Sequence, residues 1–144
     1  MNREILFRAK SSQSWCYGYV HKDYESPMPN KWRLTTAYGD VKVINSDTIG
    51  EWTGLLDKNN VMIFEGDILQ GDEYPYCSDG DYNYYAEVVW FDDGCCGFGL
   101  CTHKNPKSAV RGISDGNCEW FEDFDSNNWS VVGNIYDNPE LIEK

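Results

Sequence analysis

The sequence lacks long apolar runs. No apolar segment approaches the ~20 residues that a bilayer-spanning helix needs, so the sequence predicts a soluble chain with no membrane partner. The first ten residues, MNREILFRAK, carry charges where a secretory signal is apolar, and we expect no signal peptide there.

Positive charge is also scarce, because 12 Lys and Arg face 24 Asp and Glu, a net charge of −12. Residues 1–72 hold eight basic and ten acidic residues, a balance of −2, whereas residues 73–144 hold four and fourteen, a balance of −10. Nucleic-acid affinity comes chiefly from cations that displace counterions, so the second half is a poor surface for phosphate backbones. Two interpretations of the acidity stay open: it keeps the protein soluble, or it forms a face that meets a basic protein.

Residues that carry chemistry are few and badly spaced. His21 and His103 are the only histidines, and no cysteine lies in a recognisable nucleophile signature. Cys95, Cys96, Cys101 and His103 are close in the sequence, but adjacent cysteines on a strand point to opposite faces and no second pair completes a tetrahedral zinc site. The sequence therefore predicts no catalytic residue, no metal and no cofactor, and we expect the protein not to be an enzyme.

The even number of cysteines could indicate disulfides, and two acidic loops could indicate calcium sites, but the sequence supports neither. The six cysteines are expected to be free thiols, because a chain of this length without a secretion signal has no need of cross-links. Residues 79–83 and 123–127 begin like calcium loops, but neither has the glycine at the sixth position or the glutamate at the twelfth. We expect both to be solvated acidic loops, and whether loops 71–83 and 119–127 form a binding surface stays open.

Aromatic residues are plentiful, at 15% of the chain, and they lie in short segments separated by turn residues. This pattern is typical of β-strands. The predicted strands are residues 5–9, 15–20, 32–38, 41–44, 52–56, 61–64, 68–69, 84–91, 95–102 and 129–132. A three-residue apolar spacing predicts one or two helical turns over 118–124, and a short terminal helix is expected with Asn138 as its cap and Pro139 in its first turn. Many short strands with little helix predict a small barrel or a sandwich.

The densest structural signal lies between residues 49 and 69. The turn DKNN at 57–60 separates two strand-like segments, because Asp and Asn tolerate the backbone conformations of a tight turn. A second break at 65–67 redirects the chain into a further strand. There Asp67 is expected to accept backbone N–H groups, and Glu65 is a second candidate for that role.

Several of these segments together resemble the YopX family. The matching segments are Phe7-Arg8-Ala9, Thr53-Gly54-Leu55, Asp57-Lys58-Asn59, Glu65-Gly66-Asp67-Ile68 and the closing run from Val132 to Leu141, VGNIYDNPEL. Asn60 stands where the family usually has glycine, and asparagine can replace glycine at positive φ with modest strain.

The resemblance implies a mainly β fold that contains a small SH3-like barrel, in a protein encoded by a bacteriophage or prophage and present in the bacterial cytoplasm. One domain would cover residues 1–144, with N-terminal strands at about 1–45 packing on a barrel at about 46–142 and a short C-terminal helix. No catalytic residue is implied. The residues expected to build the structural motif are Thr53, Gly54, Asp57, Asn59, Asn60, Glu65, Gly66, Asp67, Gly133, Asn134, Asn138 and Pro139.

Two functions are compatible with the sequence. The first is a protein-interaction module that works through its acidic C-terminal half, with self-association as a further possibility. The alternative is a small barrel that binds single-stranded nucleic acid through the N-terminal aromatic and basic residues, among them Arg8, Trp15, Lys22, Lys31 and Arg33.

Overall fold

The computed structural model describes residues 4–71, 83–92, 96–105, 118–121 and 128–142, and these residues are mainly β, in two antiparallel sheets. In chain order the strands are β1 (Phe7–Ser11), β2 (Ser14–Lys22), β3 (Trp32–Thr36), β4 (Val41–Val43), β5 (Gly50–Leu56), β6 (Met62–Phe64), β7 (Asp67–Gly71), β8 (Asn83–Phe91), β9 (Gly97–Asn105), β10 (Cys118–Trp120) and β11 (Trp129–Asn134). Within these ranges no helix is long and apolar enough to cross a membrane.

The chain divides into two compact units, Met1–Gly54 and Leu55–Lys144, with the division inside β5. In the first unit the strand order is β4-β3-β2-β1-β5, and all neighbours are antiparallel. Ala9 and Leu34 of this sheet form a buried cluster with Ile44, which directly follows β4. The strands predicted at 5–9, 15–20, 32–38 and 41–44 are confirmed, and they form the antiparallel pairs β1-β2 and β3-β4.

Gly18 lies where two strands of the first unit approach each other closely. A Cβ atom at this position would lie 2.0 Å from the carbonyl oxygen of Thr35 on the adjacent β3. Only glycine fits this spacing, so the glycine in the middle of β2 fixes how closely β2 and β3 pack.

In the second unit the strand order is β10-β9-β8-β7-β11. The hairpin of β8 and β9 is paired over its full length, from Asn83↔Asn105 to Phe91↔Gly97. The core of the unit is a cluster of buried apolar side chains from several strands: Ile63, Leu69, Ala86, Val88, Leu100 and Trp129. The strands predicted at 61–64, 84–91 and 129–132 are thus confirmed, and they supply most of this core.

Three details of the predicted fold differ from the structure. The described strands form no closed barrel, so the SH3-like barrel is not confirmed. Residues 118–120 form strand β10, paired with β9 through Cys118↔Cys101, and not helical turns. The three-residue apolar spacing covers too short a window to outweigh an available strand edge. The strand predicted at 129–132 continues to Asn134 through a bulge, since the register shifts between Val131 and Gly133 and pairing then resumes.

The predicted short C-terminal helix is present as a single 3-10 turn, Pro139–Leu141, with Asn138 at the N-cap position and Pro139 in the first turn. The Asn138 side chain makes no capping hydrogen bond to this turn. Its Oδ1 atom instead accepts a hydrogen bond from the Asn134 N–H at 3.2 Å. The six thiols are not all free, because Cys101 is disulfide-bonded, while Cys16 and Cys96 are free.

Candidate functional site

The turn at 57–60 is organised around the Asp57 carboxylate, which is only 3% exposed. Its Oδ1 atom accepts hydrogen bonds from the N–H groups of Asn59 at 2.8 Å and Val61 at 2.9 Å. Its Oδ2 atom accepts from the N–H of Val131 on β11 at 2.9 Å. All three donors are backbone groups, so Asp57 joins the turn to a strand far along the chain and has an architectural role.

Two other motif residues, one in this turn and one before it, have backbone conformations with positive φ. Asn60 has φ of +63°, the left-handed conformation that asparagine tolerates better than most residues. Gly54 lies in β5 with φ of +87°, and an added Cβ there would meet nothing within 4 Å, so backbone conformation alone favours glycine. Thr53 is the preceding residue of β5. None of them lines the cleft described below.

The second break, at 65–67, is held on both sides by backbone hydrogen bonds of Gly66. Its N–H donates to the carbonyl of Val88 at 2.8 Å, and its carbonyl accepts from the N–H of Ile135 at 2.9 Å. Gly66 has φ of +89°, which the turn requires. The buried Asp67 closes the turn, because its Oδ2 atom accepts the Phe64 N–H at 2.8 Å.

The closing motif is fixed by a small network of amide side chains. The Oδ1 atom of Asn134 accepts from the N–H groups of Tyr136 at 3.0 Å and Asp137 at 2.9 Å. A Cβ at Gly133 would lie 2.5 Å from the Oδ1 atom of Asn138. Glycine at 133 therefore leaves room for Asn138, whose side chain in turn accepts the Asn134 N–H. Pro139 then begins the terminal 3-10 turn.

The two best-marked motifs of the sequence meet at one cleft in the second unit, with a volume of about 240 Å³. Its principal lining residues come from the 65–67 turn, from β8 and from the segment after β11: Glu65, Gly66, Glu87, Trp90, Ile135 and Tyr136. The Gly66 hydrogen bonds to Val88 and Ile135 hold these three segments together. The cleft is thus a direct product of the positive-φ turn.

The cleft combines negative charge with aromatic surface. Glu65 and Glu87, which are both half-buried, line it together with Tyr136 and Trp90. Glu87 and Trp90 are three residues apart on β8, so their side chains point to opposite faces of that strand. Trp90 is 44% exposed, and its ring is held edge-on against Phe98 with centroids 5.0 Å apart and an interplanar angle of 76°. Acidic and aromatic residues around one cleft suit an organic cation, because carboxylates and aromatic rings both attract positive charge.

The backbone of Trp90 also faces the cleft. The pairing of β7 with β8 ends at Ile68↔Glu87, while β8 continues to pair with β9 as far as Phe91. Phe98, opposite Trp90, directs its carbonyl to Phe121, away from β8. Trp90 therefore directs its own N–H and carbonyl away from β9, toward the cleft. A backbone segment entering the cleft would find a donor and an acceptor on this strand.

The family model described as YopX protein matches residues 6–143. The chain belongs to the YopX family. Among solved structures, the crystal structure of protein EF1440 from Enterococcus faecalis is similar, with 25% sequence identity, a TM-score of 0.49, and coverage of 99% of this chain and 100% of that chain. No curated protein matches the chain.

The sequence motifs identified part of the cleft of this YopX-family chain and missed the rest. Glu65 and Gly66 were among the predicted motif residues and line it, and Ile135 lies within the closing run that carries the family resemblance. Glu87 and Trp90 were missed. The signal that could have found them is the strand predicted at 84–91, in which a glutamate interrupts an otherwise apolar and aromatic run.

The N-terminal cations that the nucleic-acid interpretation requires are largely engaged in the fold. Arg8 and Arg33 are each only 6% exposed. The Arg8 guanidinium lies 4.6 Å from the Trp15 ring centroid. Arg33 donates to the carbonyls of Asn30 at 2.8 Å and Trp32 at 2.9 Å. Such arginines stabilise the first unit and are poorly placed to neutralise phosphates.

The two lysines of the same proposal also contact their own unit. The Lys31 ammonium donates to the carbonyl of Ser26. Lys22 lies over the Trp32 ring, with its Nζ atom 4.8 Å from the ring centroid. The four cations of this proposal therefore all make contacts within the first unit.

A thiol and an imidazole do not meet in the described part of the chain. Cys16 and His21 are five residues apart on β2 and so point to opposite faces, with Cys16 packed on the core and His21 Nε2 2.9 Å from Thr35 Oγ1. Across the described ranges no group of three or more His, Cys, Asp or Glu residues is placed to hold a metal. The His103 side chain, Cys95 and both calcium-like loops lie outside the described residues.

Proposed function

We propose that this chain is a non-enzymatic protein-interaction module, and that its cleft holds a lysine or arginine side chain from a basic segment of a partner protein. The observation that carries the proposal is the junction of Glu65, Glu87, Trp90 and Tyr136 in one open cleft of the second unit. Its carboxylates match the charge of an ammonium or guanidinium group, and its rings match the apolar stem of the side chain.

The size of the cleft favours a side chain over a metabolite. At about 240 Å³ it is smaller than the ~300–1,000 Å³ typical of small-molecule sites. A single long side chain fills such a volume while the rest of the partner stays outside. The proposal includes no chemical step.

The Trp90 backbone gives the partner an orientation. An extended segment can form strand-like hydrogen bonds with the Trp90 N–H and carbonyl while one of its side chains enters the cleft, which is the usual geometry of strand addition to an exposed edge. Strand-like pairing places alternate side chains on opposite faces. The preferred ligand is therefore extended, with a basic residue at the position that faces Glu65 and Glu87.

The charge of the whole unit supports the same partner class. Residues 55–144 hold five basic and eighteen acidic residues, a balance of −13, against seven and six, or +1, in residues 1–54. A field of this size draws basic partners toward the second unit and raises their rate of association. We place this activity in the bacterial cytoplasm, as an accessory protein of a phage or prophage that engages a host protein.

The test uses a hexapeptide of alternating lysine and serine as the probe, and a matched peptide with glutamate in place of lysine. In ¹⁵N NMR titrations of the full chain we expect the lysine peptide alone to shift the Trp90 indole and the Tyr136 amide. Removing both charges with Glu65→Gln and Glu87→Gln is expected to weaken binding about tenfold, since each exposed ion pair contributes up to ~1 kcal/mol. Glu25→Gln, on an exposed loop of the first unit, is the control and should change nothing.

Ionic strength gives an independent readout. Binding that depends on these carboxylates weakens between about 50 and 300 mM salt, because screening shortens the range of the attraction. Equal shifts with the glutamate peptide, or unchanged affinity in the double variant, would show that the cleft is not a basic-segment site. Salt-sensitive binding of a thymidine oligonucleotide at the first unit would instead favour the nucleic-acid alternative.

A further inference from the structure

Strand β4 is an edge strand of the sheet in the first unit, and its side chains are exposed. The residues Val41, Lys42 and Val43 are all exposed, with Val41 at 59% and Val43 at 42%. In the strand order β4 has one neighbour, β3, among the described residues. An edge strand of this kind presents a row of backbone donors and acceptors to any strand that can pair with it.

The hydrogen bonds of the β3-β4 hairpin show which backbone groups face outward. Asp40 accepts the Thr36 N–H at 2.9 Å, and Ile44 donates its N–H to Trp32 at 3.3 Å, so both point toward β3. Because backbone polar groups alternate in direction along a strand, Val41 and Val43 direct theirs away from β3. Val41 is therefore the centre of the available edge.

The charges on either side of Val41 are opposite, Asp40 before it and Lys42 after it. In an antiparallel pair of two copies with the two-fold axis at Val41, Val41 lies opposite the same residue of the second copy. Each Asp40 then lies opposite a Lys42, in a non-hydrogen-bonded pair where side chains are closest, with Cβ atoms about 4.5–5.5 Å apart. The edge is complementary to itself in this register.

Other registers are less favourable. A two-fold axis at Lys42 places two lysine side chains opposite each other, and like charges in that position destabilise a sheet. An axis at Val43 would pair Val41 with Asn45, whose N–H already donates to Lys10 at 2.8 Å. Lys42 thus disfavours pairing with most other strands, as lysines on edge strands commonly do. The Asp40–Lys42 ion pairs favour the single register centred on Val41.

The exposed face of the same sheet continues across the proposed axis. Tyr19 is paired with Thr35, which is paired with Val41, so these three side chains form one row on one face. Tyr19 is 58% exposed. Pairing two copies at Val41 joins two such rows into one apolar strip, which adds side-chain contacts to the central hydrogen bonds.

We propose that β4 is a self-association edge, through which two copies of this chain pair antiparallel about Val41 with reciprocal Asp40–Lys42 ion pairs. The contact uses only the first unit and is independent of the cleft. Because the strand is short, the dimer belongs to the weak, transient class, with a dissociation constant on the order of 100 µM.

Sedimentation velocity of the full chain from about 10 µM to 1 mM tests the proposal. We expect a monomer at low concentration and a dimer at high concentration. Asp40→Lys and Lys42→Asp should each weaken the dimer by at least about tenfold, because each turns two attractive pairs into repulsive ones. Glu25→Lys makes the same charge change as Asp40→Lys on an exposed loop outside β4 and is expected to leave the dimer intact.

Mixing the two charge variants gives the decisive result. In the mixture the Asp40→Lys chain offers two lysines and the Lys42→Asp chain two aspartates, so both ion pairs are restored and a mixed dimer should form. The double variant with both changes should also dimerise with itself. A wild-type chain that stays monomeric at 1 mM, a dimer that survives Asp40→Lys alone, or variants that do not pair when mixed would overturn the proposal.

Discussion

Replacing Asp57 with asparagine tests the architecture of the second unit most directly. The wild-type carboxylate is buried and accepts three backbone N–H groups, those of Asn59, Val61 and Val131. Asparagine is nearly the same size but keeps only one carboxamide oxygen. It can accept from the two turn residues or from Val131, and its NH₂ group must then face a backbone donor.

The expected loss of stability follows from these contacts. Losing one hydrogen bond to a charged acceptor costs about 1.5–3 kcal/mol, and the surviving bonds lose the charge assistance that roughly doubles their strength. We expect Asp57→Asn to lower the free energy of unfolding by about 2–4 kcal/mol. Asp57→Ala leaves all three donors without their acceptor and should cost at least as much.

Urea denaturation at neutral pH measures this effect, with Trp129 on β11 as a buried fluorophore close to Val131. Hydrogen exchange of the Val131 amide gives a local readout, because this amide loses its acceptor in Asp57→Ala. Glu25→Gln, an exposed charge removal, should stay within about 0.5 kcal/mol of the wild type. If the free energy of unfolding of Asp57→Asn also stays within about 0.5 kcal/mol of the wild type, the carboxylate does not stabilise the contact between the turn and β11.

Two further predictions concern burial and close packing. Burial raises the pKa of the Tyr85 phenol, so the folded chain keeps this proton where the unfolded chain, with a tyrosine pKa of about 10, has lost it. Stability from this group is complete below about pH 10 and falls as pH rises through the folded pKa. Urea unfolding from pH 8 to 11.5 should therefore show a steeper alkaline loss in the wild type than in Tyr85→Phe, and equal slopes would contradict this. Gly133→Ala forces Asn138 out of its hydrogen bond to Asn134 and is expected to cost about 1–2 kcal/mol, with much of that cost absent in an Asn138→Gly background; additive effects in a double-mutant cycle would rule out the contact.

The strands and turns could be predicted because their signals are local. The DKNN turn needs only residues that tolerate tight backbone conformations, and the alternation of Trp15 to Val20 is visible within six residues. The burial of Asp57 could not be predicted in the same way. Its second oxygen is satisfied by Val131, and a sequence shows no sign of a partner 74 positions away.

The incorrect prediction at residues 118–124 and the missed cleft residues also depend on contacts between residues that are distant in the sequence. The spacing of the apolar residues from Cys118 predicts helical turns, but these residues form a strand because they pair with β9, with Cys118 opposite Cys101. Glu65 and Gly66 were recognised as a turn. That they form a cleft with Glu87 and Trp90 depends on the register in which Gly66 meets Val88, and register is a tertiary property.

The bond between Asp57 and Val131 also has a consequence for biosynthesis. Asp57 leaves the ribosome long before Val131, its partner 74 positions later, so its carboxylate stays hydrated until β11 has been made. Contacts between such distant positions form slowly, because a long loop must close before they contribute. We expect the second unit to complete its folding only after β11 has left the ribosome, and a chain that stops before β11 to be recognised by proteases as unfinished.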